Sequence, residues 1–163
     1  MMANKLYIVS TQPVVKAPLP GMDEWIRQAV KYADGCLWNN GSWVIRNMKT
    51  KGKQHLVSNH SRGLAVDLSY RWQVKRGRGK PDGEKLALVF LTKVLQHAEI
   101  LGVQLVIDYN RNRSWKIDRG TWKAGNFGKG DWLHVEADPD LIKDVKAVKS
   151  AWDKVFSVIP QTL

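Results

Sequence analysis

The chain has 163 residues, with 26 Lys and Arg against 15 Asp and Glu, and a formal net charge of +11. This length predicts one domain over residues 1–163, long enough to bury a core without cross-links. Cys36 is the only cysteine, which excludes an intramolecular disulfide and a cysteine-rich zinc knuckle. The positive charge predicts an anionic partner, such as nucleic acid, lipid head groups or a cell-wall polymer.

The N-terminal residues 1–21 lack the uninterrupted apolar stretch of a secretory signal peptide. Nor does any run of about 18 apolar residues occur, the length that a membrane-spanning helix needs. We therefore expect synthesis in the cytosol, no signal peptide and no integral membrane segment.

The first half of the chain is predicted to hold one helix and two strands. Apolar residues at three- and four-residue spacing predict a helix over 22–36. Asn-Asn-Gly at 39–41 is typical of a turn, and 43–45 is predicted to be a strand. Apolar and polar residues alternate over 64–69, which predicts a strand with Asp67 on the face away from the core.

A long helix is predicted after an exposed, glycine-rich and basic loop over 75–83. The helix runs over 84–101 and ends at Gly102, because glycine commonly terminates helices. Its core-facing side is predicted to consist of Leu86, Phe90, Val94, His97 and Leu101. His97 is accordingly interpreted as a hydrogen-bonded core residue.

The remaining elements are two strands, a polar segment and a closing helix. The strands are predicted over 103–108 and 132–135, and 110–129 is predicted to form a wall of a binding groove. The last helix is predicted over 139–155, with Asp138 as its start signal. This order favours an α+β domain with a small, mostly antiparallel sheet flanked by helices.

Two short segments carry candidate metal ligands. His60 and Asp67 are separated by a glycine at which the backbone can turn sharply, and Asp131 and His134 follow at a distance. Catalytic zinc is commonly held by three side chains, and His and Asp are ordinary zinc ligands. His60, Asp67 and His134 can form such a set, which leaves Asp131 as a general base.

Each part of this pattern also has a structural alternative. A His and an Asp seven residues apart are common in proteins, and His134 on a strand would often be a hydrogen-bonded structural residue. Residues 43–80 contain ten Lys and Arg and a single acid, Asp67. That block either forms a solvated face or binds an anion, and it motivates a nucleic-acid-binding module as a rival function. No recognised nucleic-acid motif accompanies it, so nucleic acid is the less favoured partner.

The whole constellation is Ser-X-His-X-X-Gly-X-Ala-X-Asp followed by Asp-X-X-His. It resembles the zinc peptidases of the D-alanyl-D-alanine carboxypeptidase and L-alanyl-D-glutamate endopeptidase group, which includes phage endolysins and vancomycin-resistance dipeptidases. The matched positions are Ser58, His60, Gly63, Ala65, Asp67, Asp131 and His134. The resemblance covers residues 43–136 and implies the hedgehog/DD-peptidase fold.

The resemblance implies a role for each matched side chain. His60, Asp67 and His134 would hold one Zn²⁺ per chain, and Asp131 would be the catalytic base, at a position where many relatives have Glu. Arg46 would bind a substrate carboxylate or the developing oxyanion, with a simple surface cation as the alternative.

Two further side chains are assigned from their positions near the motif. Ser58 is interpreted as a hydrogen-bond donor that supports the ligands from outside the coordination shell. Trp132 is the one tryptophan that we expect to line a substrate cleft.

The resemblance implies a zinc metallopeptidase that cuts peptidoglycan stem peptides, as phage endolysins do. Such an enzyme would be made in the host cytoplasm and act at the cell wall, where a basic surface suits an anionic wall or outer membrane. The bond cut would be L-alanyl-D-glutamate, D-alanyl-D-alanine or a cross-bridge. The alternatives are the nucleic-acid-binding module and a virion structural protein with a non-catalytic zinc site.

Overall fold

The computed structural model describes residues 5–49 and 51–157. Within them the chain forms helices and strands in mixed order, joined by loops and two short 3-10 turns at Val74–Arg76 and Leu141–Lys143. The elements are α1 (Pro20–Tyr32), β1 (Trp38–Gly41), β2 (Ala65–Ser69), α2 (Gly83–Gln96), α3 (Ala98–Leu101), β3 (Val103–Asp108), β4 (Arg113–Lys116), β5 (Trp122–Ala124), β6 (Trp132–Ala137) and α4 (Val145–Phe156).

The strands form one six-stranded sheet in the order β1-β2-β6-β3-β4-β5. Every neighbouring pair is antiparallel, so the predicted α+β class with an antiparallel sheet is confirmed. β6 lies inside the sheet, between β2 and β3. The two segments that carry the candidate ligands therefore lie on adjacent strands or just before them.

The core lies between one face of the sheet and the helices. Val66 and Leu68 of β2 and Leu133 and Val135 of β6 are buried there. Leu68, Leu133 and Val135 surround one small apolar space together with side chains of α1, α2 and α4, such as the fully buried Trp152. The alternation along each strand leaves the intervening side chains on the opposite face of the sheet.

The predicted strand over 43–45 is wrong. Val44 and Ile45 are 44% and 62% exposed in a loop, and β1 instead takes in the Asn-Asn-Gly sequence that was predicted to be a turn. There Asn39 pairs with Leu68 of β2, and the register shifts before Gly41. Because β1 is an edge strand, its exposed asparagines remain in water while its backbone pairs with β2.

The helix predicted over 22–36 begins two residues earlier and ends at Tyr32, just before Asp34, whose φ of 49° is left-handed. The helix predicted over 84–101 is interrupted at His97, so that α2 and α3 are separate.

The core-facing side predicted for this helix is confirmed at Val94 and Leu101, which are buried, and is wrong at Leu86. Ala87, Leu91 and Val94 are buried, whereas Leu86 is 40% exposed. Every residue from 86 to 91 is apolar, so the sequence pattern does not mark a single face. His97 lies half-buried at the helix junction, and its ring has no hydrogen-bond partner among the residues described, contrary to the interpretation as a bonded core histidine.

Residues 110–129 contain two strands, β4 and β5, rather than only a groove wall, and Trp115 of β4 is buried in the core. The closing helix starts later than predicted. Asp144 caps α4 by accepting hydrogen bonds from the backbone of Lys146 and Ala147, whereas Asp138 pairs with Lys5. Residues 139–143 instead form the connection that contains the 3-10 turn.

No helix in the described ranges combines the length and apolarity that crossing a bilayer requires.

Candidate metal centre

Asp67 and His134 are brought together by sheet register. In the antiparallel pairing of β2 with β6, Asp67 lies directly opposite His134. Their strand neighbours Val66, Leu133 and Val135 point into the core. Both candidate ligands must therefore point to the other face of the sheet, as the period of two along a strand requires.

His60 is delivered to the same face by a tightly bonded loop before β2. Backbone hydrogen bonds from Ser61 to Ser58 and from Gly63 to His60 fold the loop. Gly63 has a φ of 69°, and a Cβ atom there would lie 2.8 Å from Cγ of Leu19, so glycine is required at this turn. His60 is 2% exposed, and its Nδ1 contacts the carbonyl oxygen of Ser42 at 2.6 Å.

Three ligand atoms of these side chains converge. His134 Nδ1 lies 3.1 Å from His60 Nε2 and 3.1 Å from Asp67 Oδ1. His60 Nε2 lies 3.4 Å from the same oxygen. This triad could hold a metal ion.

The hydrogen-bond partners bear on the protonation of the two imidazoles. His60 Nδ1 faces a carbonyl oxygen and must carry a proton, which leaves a lone pair on Nε2. His134 has a carboxylate oxygen beside each ring nitrogen, Glu136 Oε1 at 3.2 Å from Nε2 and Asp67 Oδ1 at 3.1 Å from Nδ1. If both imidazoles are neutral, with Nδ1 of His60 and Nε2 of His134 protonated, and Asp67 is ionised, three acceptors point at one another. A bound cation, or an additional proton on one of the imidazoles, relieves that repulsion.

Glu136 holds His134 from the side away from the candidate site. It follows His134 by two residues on the same strand face, is buried, and accepts a hydrogen bond from the Tyr7 hydroxyl at 2.6 Å. Metal-binding histidines commonly donate their other ring N–H to such a carboxylate. The sequence alternation places Glu136 beside His134, but nothing local to Tyr7 indicates a contact 129 residues away.

The charges of the cluster shift several pKa values. Burial raises the pKa of Asp67, but hydrogen bonds and charges of His134 and His60 outweigh burial and lower it well below its usual value. Burial lowers the pKa of His134, but Asp67 and Glu136 outweigh this and raise it to about 9. Burial likewise raises the pKa of Glu136, while His134 and Tyr7 bring it below its usual value.

Asp131 directly precedes β6 and forms an ion pair with Arg71, a residue that no motif in the sequence marks. Arg71 donates to both of its carboxylate oxygens, from Nε at 2.5 Å and from Nη2 at 2.8 Å. The backbone oxygen of Asp131 accepts hydrogen bonds from Tyr70 N–H and Ser69 Oγ, which anchors the start of β6 to the end of β2. The assignment of Asp131 as a general base stays a prediction.

Arg46 is tied to the His60 loop through its backbone. Its N–H donates to Ser61 Oγ at 2.7 Å, and its carbonyl accepts from Ser58 N–H. Its side-chain Nε is buried, and within the described ranges it has no hydrogen-bond partner. Ser58 Oγ accepts the backbone N–H of His60 at 3.3 Å. Its role as a hydrogen-bond donor to a ligand or to the loop stays a prediction.

Trp132 is half-buried at the start of β6, and its ring lies 5.1 Å from that of Tyr109. Burial raises the pKa of Tyr109, the negative charge of Asp67 raises it further, and Arg46 opposes the shift. Tyr109 is therefore close enough to the site to sense both charges. Tyr109 follows a buried strand and lies in no recognisable motif, so the sequence alone does not mark it as a site residue.

Comparison with known proteins adds no assignment: the chain matches no protein-family model, no curated protein and no solved structure.

Proposed function

We propose that this protein is a zinc-dependent peptidase that hydrolyses peptide bonds in peptidoglycan stem peptides, with the role of a phage endolysin. The observation that carries the proposal is the convergence of three possible ligand atoms, from His60, Asp67 and His134, which lie 3.1 to 3.4 Å from one another. The substrate class is suggested by the resemblance of the motif to cell-wall zinc peptidases.

The ligand spacing suits zinc. Bonds of about 2.0 to 2.1 Å to a tetrahedral zinc ion separate its ligand atoms by about 3.4 Å. The three distances in the triad are 3.1, 3.1 and 3.4 Å. Two imidazoles and one carboxylate also match the three-ligand composition of catalytic zinc sites, which leave a fourth position open.

A zinc ion bound there supplies a Lewis acid that polarises a scissile carbonyl and makes water acidic enough to be deprotonated near neutral pH. In this proposal Asp131 accepts the proton of the attacking water and returns it to the leaving amine. Its pairing with Arg71 fixes the orientation of the carboxylate. Each carboxylate oxygen has a second lone pair, so the ion pair does not prevent proton transfer.

Arg46 and Trp132 complete the proposed substrate site. In this proposal the guanidinium of Arg46 binds a substrate carboxylate or the oxyanion that develops during attack. Trp132 and Tyr109 form an aromatic pair whose rings lie 5.1 Å apart and can contact the peptide. Ser58 acts one step away, by holding the backbone of His60.

The proposal includes a fold and a place of action. An antiparallel sheet that presents ligands from two adjacent strands is compatible with the hedgehog/DD-peptidase fold that the motif implies. The enzyme is proposed to be made in the host cytoplasm and to act on the wall. The net charge of +11 favours association with anionic wall or outer-membrane components.

Digestion of purified sacculi, with mass spectrometry of the released fragments, tests the function and names the bond that is cut. The wild-type chain should contain about one zinc ion and release stem-peptide fragments. Asp131→Asn should keep its zinc and lose about 100- to 10,000-fold in kcat, the range that a general base contributes. His60→Ala should lose both zinc and activity.

Asp140→Asn is the matched control, because Asp140 is an exposed carboxylate that pairs with Lys143. It should digest sacculi at the wild-type rate. Wild-type activity of Asp131→Asn would remove Asp131 from the mechanism. A zinc-loaded wild-type chain that releases no fragment from any sacculus would reject the peptidase itself and favour a non-catalytic zinc site.

A further inference from the structure

A short, strongly basic segment projects beside the candidate site. Residues 71–80, which we call the cationic finger, hold five Lys and Arg and no acid. The finger is closed by backbone hydrogen bonds between Gln73 and Arg78 in both directions, at 2.7 and 3.2 Å. At its base, Gly79 has a φ of 74°, and a Cβ atom there would lie 2.4 Å from the carbonyl oxygen of Arg71. The finger is therefore a built hairpin with a fixed shape.

Two large apolar side chains of the finger are exposed. Trp72 is 53% exposed and Val74 is 68% exposed. The Trp72 indole N–H has no hydrogen-bond partner anywhere in residues 5–49 and 51–157. A rigid hairpin that holds a tryptophan and a valine in water has an apolar surface suited to a partner.

The cations of the finger divide into two groups. Three contact the rest of the fold: Arg71 pairs with Asp131, Lys80 pairs with Asp34, and Arg78 lies over the Trp38 ring. The other two, Lys75 and Arg76, follow Val74 directly, are exposed, and form no side-chain ion pair or hydrogen bond with any described residue. The free positive charge therefore lies beside the exposed apolar side chains.

We propose that the cationic finger docks on the surface of an anionic phospholipid bilayer. Tryptophan favours the head-group level of a membrane, where its ring is removed from water and its N–H can still donate to a polar group. Val74 would enter the boundary of the acyl chains, and Lys75 and Arg76 would lie on lipid phosphates. Each cation near an anionic leaflet strengthens binding by about five-fold.

Charge complementarity alone would also allow a nucleic acid. The composition of the finger favours lipid, because bases stack on aromatic rings and gain little from an exposed aliphatic side chain such as Val74. Membrane docking does not depend on peptidase activity. It would bring the site near a membrane, since Arg71 joins the finger to Asp131.

Co-sedimentation of the full chain with vesicles tests the apolar contacts. The vesicles contain phosphatidylcholine and phosphatidylglycerol in equal parts, and vesicles of phosphatidylcholine alone are the lipid control. Trp72→Ser and Val74→Ser should each weaken binding by about ten-fold, as expected for losing a buried apolar side chain. Val89→Ser is the matched control, because Val89 on α2 is 67% exposed, nearly as much as Val74. It should bind like the wild type.

A second pair of variants separates the finger from the overall charge. Lys75→Gln with Arg76→Gln should weaken binding by about 25-fold, five-fold per cation. The matched control is Lys146→Gln with Lys154→Gln, which removes the same charge from exposed residues of α4. It should bind almost as tightly as the wild type.

Three outcomes would overturn the proposal. An equal loss of vesicle affinity in the finger double variant and in the α4 double variant would show that binding depends on the overall net charge and not on the finger. Unchanged binding of both Trp72→Ser and Val74→Ser would remove the apolar contact. A single-stranded oligonucleotide that binds more tightly than the vesicles, and that loses affinity in the same finger variants, would make the finger a nucleic-acid site.

Discussion

Glu136 is the carboxylate that orients His134, one of the candidate metal ligands. It contacts His134 Nε2 at 3.2 Å and Tyr7 at 2.6 Å, so it belongs to the hydrogen bonds that orient a ligand. A charged carboxylate in this place raises the basicity of the imidazole and fixes its tautomer.

We predict that Glu136→Gln lowers zinc affinity by about 10- to 100-fold, the usual effect of losing such an orienting carboxylate. The amide can still accept the His134 N–H but no longer offers a negative charge. Competition with a chromogenic chelator measures the change. Glu99→Gln, at an exposed position of α3, should leave affinity unchanged, and equal affinity in Glu136→Gln would show that Glu136 is dispensable.

The pKa of His134 predicts proton release on metal binding. In the metal-free chain the pKa is raised to about 9, so at neutral pH His134 is an imidazolium with both ring nitrogens protonated. A metal ion must replace that proton. Calorimetric titration with zinc in two buffers of different ionisation enthalpy should therefore reveal about one proton released per ion at neutral pH, decreasing above pH 9. No release would mean that His134 is already neutral.

The same shift gives the pH dependence of stability. A pKa raised from 6.5 to about 9 means that charged His134 stabilises the metal-free fold fully below pH 6.5, and that this contribution is lost as pH rises toward 9. Asp67 has the opposite sign. Its lowered pKa gives stability above its ordinary value that is lost as pH falls. Urea denaturation of the metal-free chain, in the presence of a chelator, measures both the loss of stability at high pH and the loss at low pH.

The motif predicts the candidate metal ligands but not the residues that contact them from distant parts of the chain. His60, Asp67 and His134 were chosen from residue type and spacing, and the structure brings them together. Arg71 and Tyr7 were missed, because their partners Asp131 and Glu136 lie 60 and 129 residues away. Contacts of that separation are set by the fold and leave no periodic pattern in the sequence.

The start of α4 is the element boundary that the structure corrects most clearly. Asp144 accepts hydrogen bonds from two backbone N–H groups of the first turn, at 2.8 and 3.2 Å. An aspartate at this position satisfies donors that have no partner inside the helix.

Asp144→Ala should cost about 1 kcal/mol of unfolding free energy, the typical value of such a cap. Chemical denaturation measures the loss. Asp138→Ala is not a suitable control, since Asp138 is buried and pairs with Lys5. Asp140→Ala is suitable because its pair with Lys143 is exposed. It should cost less than Asp144→Ala, and the reverse order would contradict the boundary.

Strands were predictable from the sequence where their apolar residues are evident, as in β2, β3 and β6. They were not predictable where backbone pairing with another strand decides whether a segment is a strand or a loop. The β-branched Val44 and Ile45 lie in a loop, and the polar Asn39 lies in a strand because its backbone pairs with β2. Tertiary pairing overrode intrinsic strand propensity at both positions.

For the whole molecule, the candidate centre joins three separate parts of the chain: the loop that carries His60, β2 and β6. An ion held by all three binds only the folded state and must stabilise it. We predict that zinc raises Tm and that a chelator reverses the increase. At a free zinc concentration about 1,000 times Kd the gain is about 4 kcal/mol.

Variants distinguish this effect from nonspecific zinc binding. Asp131→Asn should keep the zinc-dependent increase in Tm, because Asp131 is not in the triad. His60→Ala should lose it. A similar increase in His60→Ala would place the stabilising zinc elsewhere on the chain.

The register of β2 against β6 has one more consequence. Val66 and Leu68 alternate with Asp67 along β2, and Leu133 and Val135 alternate with His134 along β6. A slip of one residue would turn the imidazole and carboxylate inward and expose the aliphatic side chains to water. Metal binding therefore reports whether a refolded preparation has the correct strand register. A chain with misaligned strands would bind no metal at this site and would be prone to aggregate.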